Sequence, residues 1–225
     1  MADRSLAIHT RSLCRSFGGR SVLREVNLEI AAGHTVALTG ANGAGKTTLL
    51  RCLAALSRPT AGEVFWFGRP AAANSPACRL LGVVMHESQN YPHLSVHENL
   101  LFAARMYDVP QPLAHVERWL DSLGLASHRH NLSASLSRGM QQRLALARAL
   151  IHDPPILLWD EPFSGLDPAS AHWLQDLLVT LRKERKTVCF STHDAGMARN
   201  HADRILQLHT GRLWEQEFST VARAA

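Results

Sequence analysis

Residues 40–47 read Gly40-Ala41-Asn42-Gly43-Ala44-Gly45-Lys46-Thr47, an unbroken match to the spacing G-x-x-x-x-G-K-[ST]. Few octets constrain a fold so tightly. The apolar run Thr35–Thr39 before it reads as a buried strand. After it, Leu49, Leu50, Leu53 and Leu56 recur at helical spacing until Pro59 ends the pattern, so a helix is expected over Lys46–Ser57. Glycines in such a loop let the backbone approach an anion closely, because no Cβ stands in the way. Exposed N–H groups and the helix N-terminus then supply partial positive charge. The chemistry this pattern serves is the cradling of a nucleoside triphosphate. Lys46 reaches the β- and γ-phosphates, the Thr47 hydroxyl holds Mg²⁺, and the stretch from Gly40 to Thr48 forms the cradle.

The rest of the chain supplies the sheet that such a loop needs. Short apolar runs at Leu81–Met85, Ile156–Asp160, Val188–Ser191 and Arg204–Leu208 read as buried parallel strands. Helical patterns fall between them at Val96–Tyr107, Leu113–Leu123, Arg138–Ile151 and Ala169–Arg182. A β region is expected over Leu6–Ile30, joined by Gly62–Gly68. Strands alternating with helices imply an α/β fold, with ligands at the carboxyl ends of the strands. No repeat, low-complexity tract or linker divides the 225 residues, so one domain over 1–225 is expected.

Composition excludes several classes. With 46% hydrophobic and 19% charged residues, the chain is neither a disordered tail nor a collagen or coiled coil. No stretch approaches the ~20 apolar residues that cross a bilayer. Met1–Ser5 leads into no apolar export segment, which predicts a cytoplasmic chain. Cys14, Cys52, Cys78 and Cys189 lack paired spacing and read as small buried side chains. The net charge of +5 is nearly all arginine, Lys46, Lys183 and Lys186 being the only lysines. The run Arg182–Lys186 contains Glu184 and follows a helical pattern, where cations suit the helix dipole, so nucleic acid is not an expected partner.

Two further strand ends carry candidate chemistry. Ile156–Trp159 runs into Asp160 and Glu161; Asp160 is placed on Mg²⁺ and Glu161 as the group that polarises the attacking water. Ser164-Gly165-Leu166-Asp167 follows, with Pro162 and Pro168 marking a loop. Val188–Ser191 ends in Thr192-His193, and His193 at a third strand end is read as a hydrogen-bond donor to the γ-phosphate, against the plainer reading of an exposed loop histidine.

At Leu136-Ser137-Arg138-Gly139-Met140-Gln141-Gln142-Arg143 the sequence resembles the signature segment of ATP-binding cassette (ABC) ATPases, whose usual form is Leu-Ser-Gly-Gly-Gln. With the phosphate loop, Asp160-Glu161, Ser164–Asp167 and His193 in family order, the resemblance covers nearly the whole chain. It implies a P-loop NTPase (RecA-like) core with a small antiparallel β region and a helical, signature-bearing subdomain over about 88–150. It also implies an ATP- and Mg²⁺-dependent hydrolase that works as a pair, a homodimer or a pair with a related ATPase. The partners it implies are integral membrane permeases, at the inner face of the cell membrane. Ser137 caps the helix Arg138–Ile151, whose leading N–H groups face the γ-phosphate held by the other subunit; Ser137, Gly139 and Asp167 are thereby implied to contact nucleotide. Phe17 lies where the family places an aromatic against adenine, although a core phenylalanine is the alternative.

The departures matter as much. Arg138 and Met140 replace a glycine and the glutamine of the usual signature, and Arg138 either adds charge near the phosphate site of the other subunit or points to solvent. The family's coupling-loop glutamine falls on His86, followed by Glu87 and Gln89, and the sequence leaves open which of the three serves. The stretch Ser137–Leu150, followed by His152-Asp153-Pro154-Pro155, resembles the haem-exporter branch of cytochrome c maturation and its exporter relatives. Export of haem, or of another small or lipidic compound, is the expectation. His93 and His97 are four apart, but Ser95-Val96-His97-Glu98 reads as a capping box, so the helix starts after His93 and the pair shares no face. A region around Val96–Tyr107 is read either as a docking face for a membrane partner or as core.

Overall fold

In the structure, a computed structural model, residues 6–86 and 89–216 are described. The chain opens with an antiparallel hairpin, β1 (Leu6–Phe17) and β2 (Arg20–Ala31), then crosses to β3 (Thr35–Thr39). The phosphate loop links β3 to α1 (Lys46–Leu53). The chain returns to the hairpin as β4 (Ala61–Trp66) and β5 (Arg69–Pro70), giving a four-stranded antiparallel sheet of order β2-β1-β4-β5. It crosses back as β6 (Leu81–Val84) and leaves the sheets for α2 (Val96–Met106), α3 (Pro112–Ser122) and α4 (Arg138–Leu150). From there β7 (Ile156–Trp159), α5 (Pro168–Lys183), β8 (Thr187–Ser191), α6 (Ala195–His201), β9 (Arg204–His209) and β10 (Arg212–Gln216) complete a six-stranded sheet of order β10-β9-β3-β8-β7-β6. Every pairing in it is parallel except that of the edge strand β10 with β9.

The strand period of two sorts side chains onto two cores. Ile156 and Leu158 of β7 join Leu38, Leu49, Leu50 and Trp66 between the two sheets and α1. Leu157 and Trp159 join Val188, Phe190, Leu174 and Leu178 on the opposite face, under α5. A strand covered on both faces has no polar side, which is why β7 is an unbroken apolar run. A third cluster, built on Val96, Leu100, Val116, Leu120, Leu144 and Ile151, holds the three helices α2, α3 and α4 to one another.

The α/β core, the antiparallel sheet and the helical layer are as expected from the sequence, and the elements differ from the expected ranges mostly by a residue or two. The larger differences have local causes. α1 stops at Leu53 rather than Ser57, because Ala55 turns into the left-handed region at φ 55° and leaves Leu56 exposed. The expected strand Gly62–Gly68 is β4 followed by a turn through Phe67 (φ 47°) and Gly68 (φ 73°) into β5. α6 was not read from the sequence; Asp194 caps it, accepting from the N–H groups of Gly196 and Met197. The capping box at α2 is complete: Ser95 Oγ accepts from Glu98 N, and Glu98 Oε2 accepts from Ser95 N at 2.8 Å. His93 thus lies before the helix that carries His97.

The cysteine expectation is corrected in part. All four thiols are free, and Cys52 and Cys189 are buried, but Cys14 and Cys78 are only half-buried on the hairpin and beside β6. Burial pushes the Cys189 thiol up to about 12. In the basic run that ends α5, Arg182 pairs with Asp203 and, just beyond the helix, Lys186 with Asp153, so these cations fasten the end of the helix to neighbouring segments. In the Val96–Tyr107 region, Val96, Leu100, Ala103 and Ala104 are core, while Phe102 and Met106 are exposed.

Candidate functional site

Three strand ends converge on the phosphate loop. β3 lies between β9 and β8 in the sheet, and β7 lies beside β8, so their carboxyl ends bring residues 40–48, 160–161 and 191–193 to one edge. Gly40 is required by close approach: a Cβ there would stand 2.4 Å from the Leu208 carbonyl of β9. Lys46 opens α1 and is buried; its Nζ donates to Gly40 O at 2.8 Å and to Ala41 O at 3.4 Å. The same ammonium stands 3.7 Å from Glu161 Oε1. Ala41, Asn42 and Gly43 are exposed on the loop, with Ala44, Gly45, Thr47 and Thr48 half-buried beneath them.

Thr47 Oγ1 donates to Asp160 Oδ2 at 2.7 Å. The residues expected to share a magnesium ion therefore present a hydroxyl and a carboxylate oxygen to one point. An all-oxygen pair suits this hard cation, and the lone buried carboxylate of Asp160 gains by a positive partner. The other oxygen, Oδ1, accepts from Ser191 Oγ at 2.6 Å, while Ser191 Oγ also accepts from the Glu161 N–H at 2.8 Å. Ser191 was missed by sequence reasoning. The sequence signal was slight, a serine closing β8; it is the parallel register pairing Trp159 with Phe190 that puts it beside Asp160.

Glu161 sits in the left-handed region at φ 49°, an uncommon conformation for a residue with a Cβ and one that turns the chain sharply out of β7. The turn is held by Ser191 on the Glu161 N–H and by Ser164 N donating to Glu161 O at 3.0 Å. Its carboxylate then points between Lys46 and His193, whose Nδ1 is 2.9 Å from Glu161 Oε2. With the Nδ1 proton given to the carboxylate, Nε2 of His193 is an acceptor when the ring is neutral and a donor only as imidazolium. His193 is exposed, with its ring against the Glu161 carboxylate.

Phe17 is half-exposed, which removes the core alternative. The Arg15 guanidinium lies 4.2 Å from its ring centroid, and the ring borders a cleft of about 390 Å³ with Thr48, Arg51, Ser57, Met85 and Gln89. Gln89 also lines the groove formed by Tyr91, Met106 and Tyr107, and Arg148 of α4 donates to its carbonyl. His86 is exposed, and Glu87 lies outside the described residues.

The remaining expected contacts sit on the helical layer and on α5. Ser137 caps α4, its hydroxyl accepting from Met140 N at 3.3 Å. Gly139 is buried against the start of α5, where a Cβ would stand 2.3 Å from Asp167 Oδ2 and 2.4 Å from Ser170 Oγ. Asp167 caps α5, accepting from the Ser170 N–H at 2.9 Å and the Ser170 hydroxyl at 2.8 Å. Those two donors hold its carboxyl below the usual carboxylate range. Ser137, Gly139 and Asp167 thus share one patch, with both carboxylate oxygens of Asp167 engaged within the chain. Arg138 is exposed, but its guanidinium lies across Gly165 rather than simply projecting into solvent.

A family model described as ABC transporter matches residues 23–164. The spermidine/putrescine import ATP-binding protein PotA of Methylococcus capsulatus is 38% identical, over 95% of this chain and 58% of its own length. The aliphatic sulfonates import ATP-binding protein SsuB 1 of Paracoccus denitrificans is 38% identical, over 96% of this chain and 85% of its own. Among solved structures, a post-hydrolysis dimer of the ATP-binding cassette MJ0796 with ADP and phosphate has a TM-score of 0.84 at 28% identity, covering 93% of this chain and 98% of that one.

Proposed function

The chain belongs to the ABC transporter family, and on that premise we propose that it is the ATP-hydrolysing subunit that powers such a transporter. The observation that carries the reading is the Glu161 carboxylate, held 2.9 Å from His193 and 3.7 Å from Lys46 at the mouth of a complete phosphate loop. Lys46 and the loop N–H groups bind and orient the phosphates. Thr47 and Asp160 would hold Mg²⁺, which would neutralise phosphate charge. Glu161 accepts the proton of the attacking water, and His193 fixes that carboxylate and, as imidazolium, donates to the γ-phosphate. Phe17 offers a ring face to the base.

The site is completed by a second copy, or by a related ATPase, whose Ser137, Gly139 and α4 N-terminus face the γ-phosphate; the MJ0796 dimer supports this arrangement. Among the described residues no helix is long and apolar enough to cross a membrane, and the work of closure passes to separate membrane subunits. Gln89, which borders both the nucleotide cleft and the Tyr91–Met106 groove, is the coupling-loop residue in this reading. The relatives named above are import proteins, so the export of haem expected from residues 137–155 lacks their support, and the proposal is transport-coupled hydrolysis without that specificity.

The experiment is steady-state hydrolysis measured against protein concentration. Activity per molecule rises with concentration as paired sites form. A rate per molecule unchanged by dilution, with no dimer at any concentration, contradicts the shared site. Purification from membranes then identifies the permease and, through it, the cargo and its direction.

A further inference from the structure

The first turn of α4 and the loop after Glu161 are in contact at three places. Gln142 Nε2 donates to Pro162 O at 3.3 Å, Gly139 backs onto Asp167 and Ser170, and Arg138 covers Gly165. The last contact is a departure from the family's usual signature, which has glycine where Arg138 stands. A Cβ on Gly165 would lie 2.5 Å from Arg138 Cζ and 2.6 Å from one Nη, so the guanidinium plane fills the space that the missing side chain leaves. No carboxylate among the described residues explains the position. A cation in the first turn opposes the helix dipole, and Arg138 forms no ion pair among the described residues.

Gly165 is one residue beyond Ser164, whose N–H donates to the Glu161 carbonyl and holds that residue at φ 49°. A displacement of Arg138 is therefore a displacement of the turn that aims Glu161. We propose that Arg138 is a positioning residue, a strut between the α4 N-terminus and Gly165 that couples phosphate capture by α4 at one composite site to the Glu161 carboxylate of the other. This rests on the two-copy reading of the site. It differs from a direct electrostatic role, because the contact uses the flat guanidinium and not its charge; lysine keeps the charge and loses the plane.

The test is the ATP dependence of hydrolysis by the full-length protein and its variants Arg138→Ala and Arg138→Lys. A two-site dimer can approach a Hill coefficient of ~2. Wild type is expected to be cooperative, and both variants are expected to fall toward ~1, a change that loss of stability alone does not produce. Gly165→Ala sets a Cβ against the guanidinium at a position whose φ of 67° is itself strained for any side chain, so its readout is the Hill coefficient: the same cooperativity is lost, and adding Arg138→Ala lowers the coefficient no further. Cooperativity retained in Arg138→Ala, full rescue by lysine, or additive defects in the Arg138→Ala/Gly165→Ala pair overturns the strut while leaving the family reading intact. A non-cooperative wild type that forms no dimer overturns both.

Discussion

Ser191 donates its hydroxyl proton to Asp160 Oδ1 across 2.6 Å, and through the same oxygen it holds the N–H of Glu161. One side chain on β8 thus holds both acidic residues that follow β7, Asp160 by its carboxylate and Glu161 by its backbone N–H. Ser191→Ala leaves a buried carboxylate oxygen without its donor. Stability is expected to fall by about 1–3 kcal/mol in urea unfolding, with kcat reduced more than the KM for ATP. An alanine variant with wild-type kcat contradicts this role for Ser191.

Phe17, half-exposed beside the cleft that Thr48 also lines, is expected to serve the base and not the core. Phe17→Ala raises the KM for ATP several-fold while leaving the thermal midpoint within a degree or two of wild type. Phe17→Trp restores the KM. A large loss of thermal stability without a change in KM would return Phe17 to a packing role.

His152 gives a pH dependence with a definite sign. Its ring stacks on Tyr107 with centroids 3.6 Å apart, its Nε2 lies 3.2 Å from Leu81 O, and burial holds its pKa down to about 4. In the unfolded chain the ring titrates near the ordinary value of about 6.5. Between those values the unfolded state binds the extra proton, so the contribution is complete above about pH 6.5 and is lost as the pH falls toward 4. Urea midpoints measured at neutral pH and at pH 5 give a difference, and His152→Phe, which keeps the stack on Tyr107, makes that difference smaller. An identical pH profile in the variant removes His152 as its source.

Much of the site was legible because chemistry and secondary structure coincide in it. An apolar strand must end where Gly40 begins, and a helix must start at Lys46, so the octet constrains both its geometry and its ligand. The pair Asp160-Glu161 was readable for the same reason, as polar residues ending a strand buried on both faces. Ser191 was not, because a serine after four strand residues looks like an ordinary end until the register places it beside Asp160. The left-handed turn at Glu161 left no trace in residue type, since glutamate carries no signal for positive φ. Arg138 posed the opposite difficulty. The sequence marked it as a departure, but only the packing against Gly165 showed what the departure touches.

In the proposed function, Glu161 performs the hydrolytic step in a site that two copies close. It is tested most directly by light scattering on the Glu161→Gln variant with Mg²⁺ and ATP, alongside phosphate release. The expected result is a mass twice that of the single chain, ATP retained, and turnover lower by several orders of magnitude. A variant that stays at the single-chain mass with ATP bound, or that releases phosphate at the wild-type rate, contradicts it.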